Sequence, residues 1–531
     1  MVEDITRERV IHRVVERQAK KYGTRTFLYF EGKEYSYQDM DTMASRVARG
    51  LQALGIGKGD RVAILMNNCP EFLFLWFGLS KRGALEVPIN PAHKGDLLTY
   101  FLNQSDARVL VADGRYLDRI APVLANTPLI ENVIVLAPNQ DDMPATAKPV
   151  LDWVEFIDND GMYQPVDVLW SDPFNIMYTS GTTGASKGSL SPHNYAIQLA
   201  EMAVESAEYG EQDCLFIPLP LFHGAAQLFC TMAALVAGSK MVLAEWFSAS
   251  KFWEEIYRFS CTRATLIGAM VPILFAAEPK PDDAGNPLRG MIVAATPRHM
   301  FEPFEKRFGV TLIEFYGMSE ISLPLMNTVK HRKPGSCGKV HRDFVAKVVD
   351  DNGIEVGPNT PGELLIRPLK PYTMQLGYDK MPDKTVEAWR DLWFHTGDYL
   401  YHDEDGFFFF VDRKKDALRR RGENISSQEV EKVINSHPAV LESAAIAAKS
   451  DLGEDEVMVC VALKPGQSLT ALDLIRHCEP QMAYFMMPRY VRFVPALPRT
   501  ATLRVQKYQL REEGITPDTW DRERSGYKVK R

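Results

Sequence analysis

The first sixty residues alternate apolar and polar positions with the periods of a helix, a hairpin and a second helix. Within Glu8–Tyr22 the apolar residues recur three or four positions apart, which is the spacing of one helix face. Thr26–Tyr37 holds an aromatic run, a Glu-Gly-Lys turn and a second extended run, and this predicts a hairpin. Asp39–Leu54 is again helical in pattern, and Gly55 provides its stop.

From residue 61 onward, short apolar runs alternate with helical patterns. Arg61–Met66 predicts a buried strand, Glu71–Lys81 a helix and Ala84–Ile89 a second strand. The further strand candidates are Val109–Ala112, Ile130–Leu136, Asn175–Tyr178, Lys240–Leu243, Ala264–Ile267, Met291–Ala294 and Thr311–Glu314. Strand–helix–strand repetition is typical of parallel sheets covered by helices, so the pattern predicts an α/β fold for this large N-terminal body.

After residue 330 the pattern changes to strands separated by Gly, Pro and Asp turns, as in Phe344–Val349, Gly362–Ile366 and Gly406–Val411. This predicts a small β-rich subdomain over about residues 330–412. We place a domain boundary at Asp412, which divides the chain into a large domain, 1–412, and a small mobile α+β domain, 413–531. The basic run Arg413–Arg421 opens the second domain, and either a solvated linker or a ligand contact explains it.

Composition narrows the class of protein. The 531 residues are 46% hydrophobic and 24% charged, which is typical of a folded globular chain, and the net charge of −8 disfavours a nucleic-acid binder. No apolar stretch approaches the length of a membrane span, and the acidic start lacks the apolar core of a signal peptide. Seven widely spaced cysteines indicate reduced core thiols, so we expect a cytoplasmic protein without nucleic-acid or membrane partners.

The segment Tyr178–Gly188 is rich in Gly, Ser and Thr and follows the strand candidate Asn175–Tyr178. Its glycines allow backbone N–H groups to turn inward, its hydroxyls add donors, and Lys187 adds a positive charge, which together favour phosphate binding. The spacing is neither the Walker pattern nor the dinucleotide fingerprint, because Ser186 precedes Lys187 and Gly188 follows it. The alternative is a flexible surface loop, which the lysine, the paired threonines and the preceding strand disfavour.

Together with other short motifs, this loop resembles the signature of the adenylate-forming superfamily, which comprises acyl-CoA synthetases, peptide-synthetase adenylation domains and luciferases. The matching blocks follow the superfamily's order along nearly the whole chain. They are Pro220–His223, Tyr316–Glu320, Lys333–Gly338, Gly362–Leu364, Trp393–Asp398, Asp412–Asp416 and Arg421–Ile425. Within the superfamily, Arg420–Asn424 and the tail Thr516–Asp521 are most similar to the carnitine/crotonobetaine-CoA ligase-like branch.

The resemblance implies a two-step ligase that uses ATP, Mg²⁺ and coenzyme A. A carboxylic acid is first converted to an acyl-adenylate with release of pyrophosphate, and a thiol then displaces AMP. The implied ATP-binding residues are Thr179, Ser180, Gly181, Thr182, Thr183, Gly184, Lys187, Ala295, Thr296, Glu314, Phe315, Tyr316, Gly317, Met318, Ser319, Asp398 and Arg413.

Within that set the resemblance implies distinct roles. Glu320 is the expected Mg²⁺ ligand, since a carboxylate is a hard oxygen donor. Tyr316 is expected to stack on adenine, and a core tyrosine is the alternative interpretation. Asp398 is expected to accept hydrogen bonds from both ribose hydroxyls, and Arg413 to reach the same ribose.

The second half-reaction is assigned to the C-terminal part of the chain. Lys415 is the expected hinge of a rotating C-terminal domain, and Arg421, Gly422, Glu423 and Asn424 are expected to contact coenzyme A. Lys187, Glu320, His223 and Arg504 form the expected catalytic set. The expected acyl pocket consists of Phe222, His223, Ala269, Met270, Val271, Ala294, Gly317 and Met318.

Two departures from the superfamily pattern leave questions open. Arg504 stands where the superfamily has a lysine that bridges the carboxylate and the α-phosphate, and arginine differs from lysine in shape and reach. Either Arg504 performs adenylation with altered geometry, or adenylation is impaired. Ala294–Ala295 replace two glycines beside the adenine site.

The acyl substrate is the least determined feature. No fixed charge occurs in the expected pocket to pair with a cationic acid, which favours a neutral alicyclic, aryl or medium-chain acid over carnitine. Loading of a carrier protein in trans and a catalytically weakened adenylate-binding protein are the alternative functions. The chain is expected to be a monomer or a homodimer.

Overall fold

The computed structural model describes residues 4–137, 148–179, 186–267, 270–294, 296, 298–413, 418–420, 423–425, 427–449, 455–482, 486–499 and 505–529. The strands up to residue 330 are β1 (Thr26–Phe30), β2 (Lys33–Ser36), β3 (Arg61–Leu65), β4 (Leu85–Pro88), β5 (Val109–Asp113), β6 (Asn132–Leu136), β7 (Val150–Asp152), β8 (Pro173–Thr179), β9 (Lys187–Pro192), β10 (Cys214–Ile217), β11 (Lys240–Leu243), β12 (Arg263–Ile267), β13 (Gly290–Ala294), β14 (Thr311–Met318) and β15 (Ser322–Met326). The later strands are β16 (Lys339–Val340), β17 (Phe344–Val349), β18 (Gly362–Pro368), β19 (Gly377–Tyr378), β20 (Trp389–Arg390), β21 (Trp393–His402), β22 (Phe408–Arg413), β23 (Leu418–Arg420), β24 (Glu423–Ile425), β25 (Val440–Lys449), β26 (Asp455–Leu463), β27 (Tyr490–Phe493) and β28 (Trp520–Asp521).

The helices lie between these strands. They are α1 (Ile5–Glu8), α2 (Ile11–Tyr22), α3 (Tyr37–Ala53), α4 (Pro70–Arg82), α5 (Gly95–Gln104), α6 (Leu117–Ile120), α7 (Trp153–Ile157), α8 (His193–Ala207), α9 (Met232–Ala237), α10 (Ala249–Arg258), α11 (Met270–Phe275), α12 (Phe301–Phe308), α13 (Pro382–Ala388), α14 (Ser427–Asn435), α15 (Ala471–Cys478) and α16 (Lys507–Glu513). A π-helix, Ala225–Thr231, leads directly into α9.

Two large sheets organise the N-terminal part. Over the described residues, one has the order β16-β15-β14-β13-β12-β10-β11-β1-β2 and the other the order β19-β9-β8-β4-β3-β5-β6-β7. Their interiors are parallel, as the strand–helix rhythm predicts, for example β10 with β12 and β3 with β5. Antiparallel hairpins lie toward both edges of the first sheet, β14–β15 and β1–β2, and toward one edge of the second, β8–β9. The α/β fold class is therefore confirmed, and the sheets are mixed rather than wholly parallel.

The core forms in three layers because successive strand residues point to opposite faces. In β3, Val62 and Ile64 face a central cluster between the two sheets, and Ala63 and Leu65 face an outer cluster. In β10, Leu215 faces the central cluster and Phe216 an outer one. Helix α4 lies in the central layer, and Phe72–Arg82 is buried along its whole length. Burial between two sheets explains why its sequence is apolar on every side.

A smaller antiparallel sheet follows, with the order β17-β18-β21-β20 and with β22 paired to β21. Beyond it, β25, β26, β27 and β28 form a separate sheet whose cluster includes Val459 of β26, Val430 of α14 and Leu474 of α15. All seven cysteines are free thiols. Among the helices that the structure describes, none combines the length and the apolar character that crossing a membrane requires.

Candidate active site

Two antiparallel hairpins meet beside each other and place the predicted motifs together. Strands β8 and β9 pair Thr179 with Lys187, so the phosphate-loop segment joins the ends of one hairpin. Strands β14 and β15 form the other hairpin, whose turn carries Ser319 and Glu320. The carbonyl of Ser319 accepts hydrogen bonds from the Ser189 hydroxyl (3.4 Å) and the Tyr195 hydroxyl (3.2 Å). These bonds join the β14–β15 turn to strand β9 and to helix α8.

The loop itself is described only at its flanks. Ser180, Gly181, Thr182, Thr183 and Gly184 lie outside the described residues. At the flanks, the Thr179 hydroxyl donates to the carbonyl of Lys187 (3.3 Å), and the Tyr100 hydroxyl donates to the carbonyl of Ser186 (2.8 Å). The Lys187 ammonium lies 4.2 Å from the ring centroid of Tyr378.

Glu320 is a buried carboxylate in a mixed electrostatic environment. Its side chain is buried and its Oε1 accepts a hydrogen bond of 2.9 Å from the Tyr378 hydroxyl. Burial raises the pKa of Glu320, whereas the Tyr378 hydrogen bond and the positive charges of Lys187 and Arg413 oppose that rise. The predicted Mg²⁺ ligand is therefore within electrostatic range of two cations that come from different strands.

A second group joins the β14–β15 hairpin to the smaller sheet. The Tyr316 hydroxyl donates to Asp398 Oδ2 at 2.8 Å, and Arg413 Nε lies 4.0 Å from Asp398 Oδ1. Asp398 of β21 pairs directly with Arg413 of β22, so the strand register itself brings the two opposite charges together. Burial and the neighbouring Asp398 charge raise the pKa of Tyr316 well above its usual range, so the phenol stays protonated and remains a donor.

Glu314 lies two residues before Tyr316 on the same strand. Its Oε1 accepts a hydrogen bond of 3.3 Å from the backbone N–H of Thr296, which follows β13. Burial raises the pKa of Glu314 to about 8. Ala294 ends β13, and Ala295 lies outside the described residues.

The other residues of the β14 motif, Phe315, Gly317 and Met318, are closely packed against their neighbours. A Cβ added to Gly317 would come within 2.3 Å of the Ser322 carbonyl, so a side chain at this position would clash with the opposite strand of the hairpin. Met318, the last residue of β14, has its sulfur 3.9 Å from the Tyr316 hydroxyl. Phe315 packs on Phe229 of the π-helix with ring centroids 4.9 Å apart.

Two predicted acyl-pocket residues, Phe222 and His223, lie just before the π-helix, and Gly224 separates them from it. Their rings are 4.7 Å apart, and the carbonyl of His223 accepts the Ala226 N–H at 3.1 Å. Met270 begins α11. Val271 is fully buried in the outer core cluster of the first sheet, and Ala269 lies outside the described residues.

The C-terminal candidates are only partly described. Lys415, Arg421, Gly422 and Arg504 lie outside the described residues, and Glu423 and Asn424 belong to the short strand β24. The junction beside them is described: Asp412 Oδ2 accepts hydrogen bonds from the backbone N–H (2.7 Å) and the hydroxyl (2.6 Å) of Ser427. Lys507 in turn bonds the Ser427 hydroxyl at 2.5 Å and pairs with Glu431 at 2.7 Å.

Two residues beside the site were not predicted from the sequence. Tyr378 contacts both Lys187 and Glu320, and Glu363 accepts a hydrogen bond of 3.3 Å from the N–H of Gly397, next to Asp398. Glu363 lies in the Gly362–Leu364 block, so this segment was recognised in the sequence. The sequence did not indicate that Glu363 contacts Gly397. Tyr378 lies in none of the blocks, and only the pairing of β19 with β9 reveals it.

Comparisons with known proteins agree with this geometry. A family model described as AMP-binding enzyme matches residues 15–378, which is more than half of the chain. A second model, described as AMP-binding enzyme C-terminal domain, matches residues 429–503. Crotonobetaine/carnitine–CoA ligase from Salmonella heidelberg (strain SL476) is 31% identical over 504 residues, covering 92% of this chain and 96% of that protein.

Solved structures give the same result. An anthranilate CoA ligase in complex with anthranoyl-AMP has a TM-score of 0.84 at 27% identity, covering 95% of this chain and 96% of that one. ATP-bound MatB from Rhodopseudomonas palustris has a TM-score of 0.84 at 26% identity, with 94% and 98% covered. The chain therefore belongs to the AMP-binding enzyme family, in which it is an acyl-CoA ligase.

Proposed function

We propose that this acyl-CoA ligase activates and transfers its acid at the junction of the two hairpins, with Lys187, Glu320, Tyr316, Asp398 and Arg413 binding ATP. The observation that carries the proposal is that Lys187 and the buried Glu320 both contact Tyr378, while Tyr316 of the same β14–β15 hairpin holds Asp398 beside Arg413. These charged groups come from separate strands and turns. Together they suit a polyphosphate and its counter-ion.

In the first half-reaction, an oxygen of the substrate carboxylate attacks the α-phosphorus of ATP. The bond from that phosphorus to the bridging oxygen breaks, and pyrophosphate leaves with the bonding electrons. Two anions must approach each other in this step. Positively charged side chains that are already in place before the reaction therefore lower its barrier. We assign this task to Lys187 and to Arg504, the latter lying beyond the described residues.

Ribose recognition is assigned to Asp398. Its carboxylate already accepts a hydrogen bond from Tyr316 and lies beside Arg413, so its orientation is set before a nucleotide arrives. A carboxylate has room for more than one donor, and both ribose hydroxyls can therefore share it. Tyr316 then presents its ring to adenine while its hydroxyl stays on Asp398.

Magnesium fits the chemistry of Glu320. Among the described residues, no group of three or more His, Cys, Asp or Glu side chains could hold a metal alone. An ion that is held by a single carboxylate and completes its shell with phosphate oxygens and water is typical of Mg²⁺ at nucleotides. When bound, Mg²⁺ would supply charge neutralisation at the phosphates, and Glu320 would hold it.

In the second half-reaction, the sulfur of coenzyme A attacks the carbonyl carbon of the acyl-adenylate. The bond from that carbon to the phosphate oxygen breaks, AMP leaves, and the thiol proton passes to solvent. We assign the coenzyme A contacts to the region from Arg421 to Asn424, with Lys415 as the hinge that brings this region to the acyl-adenylate. The large domain, 1–412, and the small domain, 413–531, are the two bodies that this motion requires.

The acyl substrate is proposed to be a neutral acid. Among the described members of the predicted pocket, Phe222, His223, Met270 and Met318 supply aromatic and thioether surface and no fixed negative charge. A permanently cationic acid would need such a charge or several aromatic faces. The Salmonella relatives named for crotonobetaine and carnitine make those acids the necessary comparison.

One assay series tests the proposal. The protein is incubated with ATP, Mg²⁺ and a panel of neutral, anionic and cationic carboxylic acids, and pyrophosphate release and thioester formation are followed separately. We expect pyrophosphate and thioester with neutral acids. Pyrophosphate without thioester would favour a carrier protein as acceptor, no pyrophosphate with any acid would contradict adenylation, and selective turnover of carnitine would overturn the neutral-acid proposal.

A further inference from the structure

One tyrosine outside every recognised block contacts both charged groups of the proposed phosphate and metal site. The Tyr378 hydroxyl donates to Glu320 Oε1 at 2.9 Å, and its ring centroid lies 4.2 Å from the Lys187 ammonium. The hydroxyl thus meets the negative group, and the electron-rich ring face meets the positive one. A single side chain therefore contacts two opposite charges that belong to different hairpins.

Tyr378 is itself tied to both hairpins by backbone contacts. It belongs to β19, which pairs with β9 so that Tyr378 opposes Ser189, two residues from Lys187. On the other side, the N–H of Gln375 donates to the carbonyl of Glu320 at 2.9 Å. The Ser189 hydroxyl donates to the side chain of Gln375 at 2.7 Å, which links these two attachments.

The segment is also anchored on its far side. The N–H of Tyr378 donates to the Thr385 hydroxyl at 2.9 Å, and the N–H of Asp379 donates to the carbonyl of Gly188 at 2.7 Å. The buried Asp379 pairs with Arg61 of β3 at 2.9 Å. The strand that carries the tyrosine therefore cannot shift without breaking contacts to both hairpins and to Arg61 of β3.

We infer that Tyr378 is a positioning residue that orients the Glu320 carboxylate toward the metal and the Lys187 ammonium toward the phosphates. The inference rests on the proposed function, because it takes Glu320 and Lys187 as the groups that meet Mg²⁺ and the phosphates of ATP. Partners of metal ligands fix the orientation of the ligand, and removing such a partner weakens metal binding by about ten- to hundredfold. The same size of effect is expected here.

The test separates the hydroxyl from the ring. Tyr378→Phe removes the bond to Glu320 and keeps the ring beneath Lys187, whereas Tyr378→Leu removes both. Mn²⁺ affinity is measured by electron paramagnetic resonance in the presence of α,β-methylene-ATP, a nucleotide whose carbon bridge between the α- and β-phosphorus prevents adenylyl transfer. We expect Tyr378→Phe to weaken Mn²⁺ binding about tenfold or more with little change in metal-free nucleotide affinity, and Tyr378→Leu to weaken nucleotide affinity by about fivefold as well.

Two comparisons exclude a merely structural effect. Tyr22→Phe removes the same kind of hydroxyl-to-carboxylate bond, 2.7 Å to Glu211, at a surface position, and should leave Mn²⁺ binding unchanged. In a Glu320→Gln background, Tyr378→Phe should add less than about a twofold change, because its partner carboxylate is already lost. If Tyr378→Phe fails to fold, Thr385→Val provides the second route. It removes the hydroxyl that accepts the Tyr378 N–H and donates to the Met381 carbonyl at 3.2 Å, and it should shift Mn²⁺ affinity in the same direction.

The outcomes distinguish this inference from the proposed function. Nucleotide-dependent Mn²⁺ binding by the native protein, with no change in Tyr378→Phe or in Thr385→Val, would overturn the positioning role and leave the proposed function intact. An equal loss in both the native and the Glu320→Gln background would also overturn it, because Tyr378 would then act independently of Glu320. Absence of nucleotide-dependent Mn²⁺ binding by the native protein would overturn both.

Discussion

Buried carboxyl groups near the site differ in what surrounds them, and these surroundings set their protonation. Glu320 has Lys187 and Arg413 within electrostatic range, so positive charge opposes the effect of burial. Among the described residues, Glu314 is hydrogen-bonded to the backbone N–H of Thr296; burial outweighs this bond and raises the pKa of Glu314 to about 8. Glu314 is therefore mainly protonated at neutral pH and serves as a hydrogen-bonding group rather than as a negative charge.

The raised pKa of Glu314 predicts a pH dependence of stability. Between its unfolded value of 4.5 and about 8, the folded protein retains a proton that the unfolded chain releases, so this group's contribution falls as pH rises and levels off above pH 8. Glu314→Gln removes the titration, so the native protein should lose stability relative to the variant by at most about 1.4 kcal/mol per pH unit across this range.

Urea unfolding of both proteins from pH 5 to 8.5 checks this prediction. Glu302→Gln, at an exposed position of α12, is the matched control and should show no such relative change. A stability difference between native protein and Glu314→Gln that stays constant with pH would contradict the raised pKa.

Asp398 provides a second prediction at the scale of one residue. Asp398→Asn keeps the shape of the side chain and removes the charge that we assign to the ribose hydroxyls. Since a hydrogen bond to a charged group contributes about 1.5–3 kcal/mol, the KM for ATP should rise by about tenfold or more. Steady-state kinetics of pyrophosphate release measures it.

The control for Asp398 is a chemically similar pair at the surface. The exposed Asp351 accepts a hydrogen bond of 2.7 Å from Tyr399, much as Asp398 does from Tyr316. Asp351→Asn should leave the KM for ATP within about twofold of the native value, as surface substitutions have small effects. Equal effects of the two variants would argue against a nucleotide contact at Asp398.

At the scale of elements, the site depends on antiparallel hairpins at the edges of mainly parallel sheets. The β14–β15 hairpin carries Tyr316 at one end of its pairing and Glu320 in its turn, and β16 pairs with β15 beside it. Close backbone approach in this region requires glycine. Gly338 has a φ of +94°, and a Cβ there would lie 1.9 Å from the carbonyl carbon of Met326 at the end of β15.

Gly338→Ala should therefore destabilise the protein. Backbone strain of this kind costs about 1–3 kcal/mol, and the collision with β15 adds to it. Thermal unfolding measures the effect. Gly357→Ala is the matched control, because nothing lies within 4 Å of its added Cβ, and its unfolding midpoint should change little. Equal midpoints for the two variants would show that β15 can move away.

At the scale of the whole molecule, Asp412 links the last strand of the smaller sheet to the start of α14. Its carboxylate accepts two hydrogen bonds from Ser427, and Ser427 is also bonded to Lys507 near the C-terminus. The hinge that we assign to Lys415 lies between Asp412 and Ser427 in the chain. A change in this short connection should therefore affect a domain rotation more than it affects either domain's interior.

Lys415→Pro should separate the two half-reactions. Proline fixes φ and prevents the backbone rotation that a hinge needs, so thioester formation should fall by about tenfold or more while pyrophosphate release in the adenylation step is retained. Single-turnover assays of each half-reaction measure this. Lys415→Ala removes the side chain without restricting φ and should preserve both steps; equal loss in the two variants would argue against a hinge.

Several features could be predicted from the sequence because they depend on neighbours along the chain. Helical and strand periods located Arg61–Leu65 and Pro70–Arg82 to within one residue at each end, and Ile11–Tyr22 to within three residues at its start. Short blocks identified the family and the candidate ATP residues, since each block is continuous in sequence. The β8–β9 and β14–β15 hairpins did not follow from the strand–helix rhythm, because apolar strands have the same pattern whether their neighbours are parallel or antiparallel.

By itself, the sequence determined the α/β class and the family, and it indicated the candidate ATP residues, because local periodicity and continuous motifs contain that information. Only the tertiary structure decided which side chains meet. It joined Tyr316 to Asp398 across 82 positions and Tyr378 to Glu320 across 58, and it left Val271 in the core. Such pairings arise from sheet register and burial, which depend on segments distant in sequence, and no local pattern specifies them.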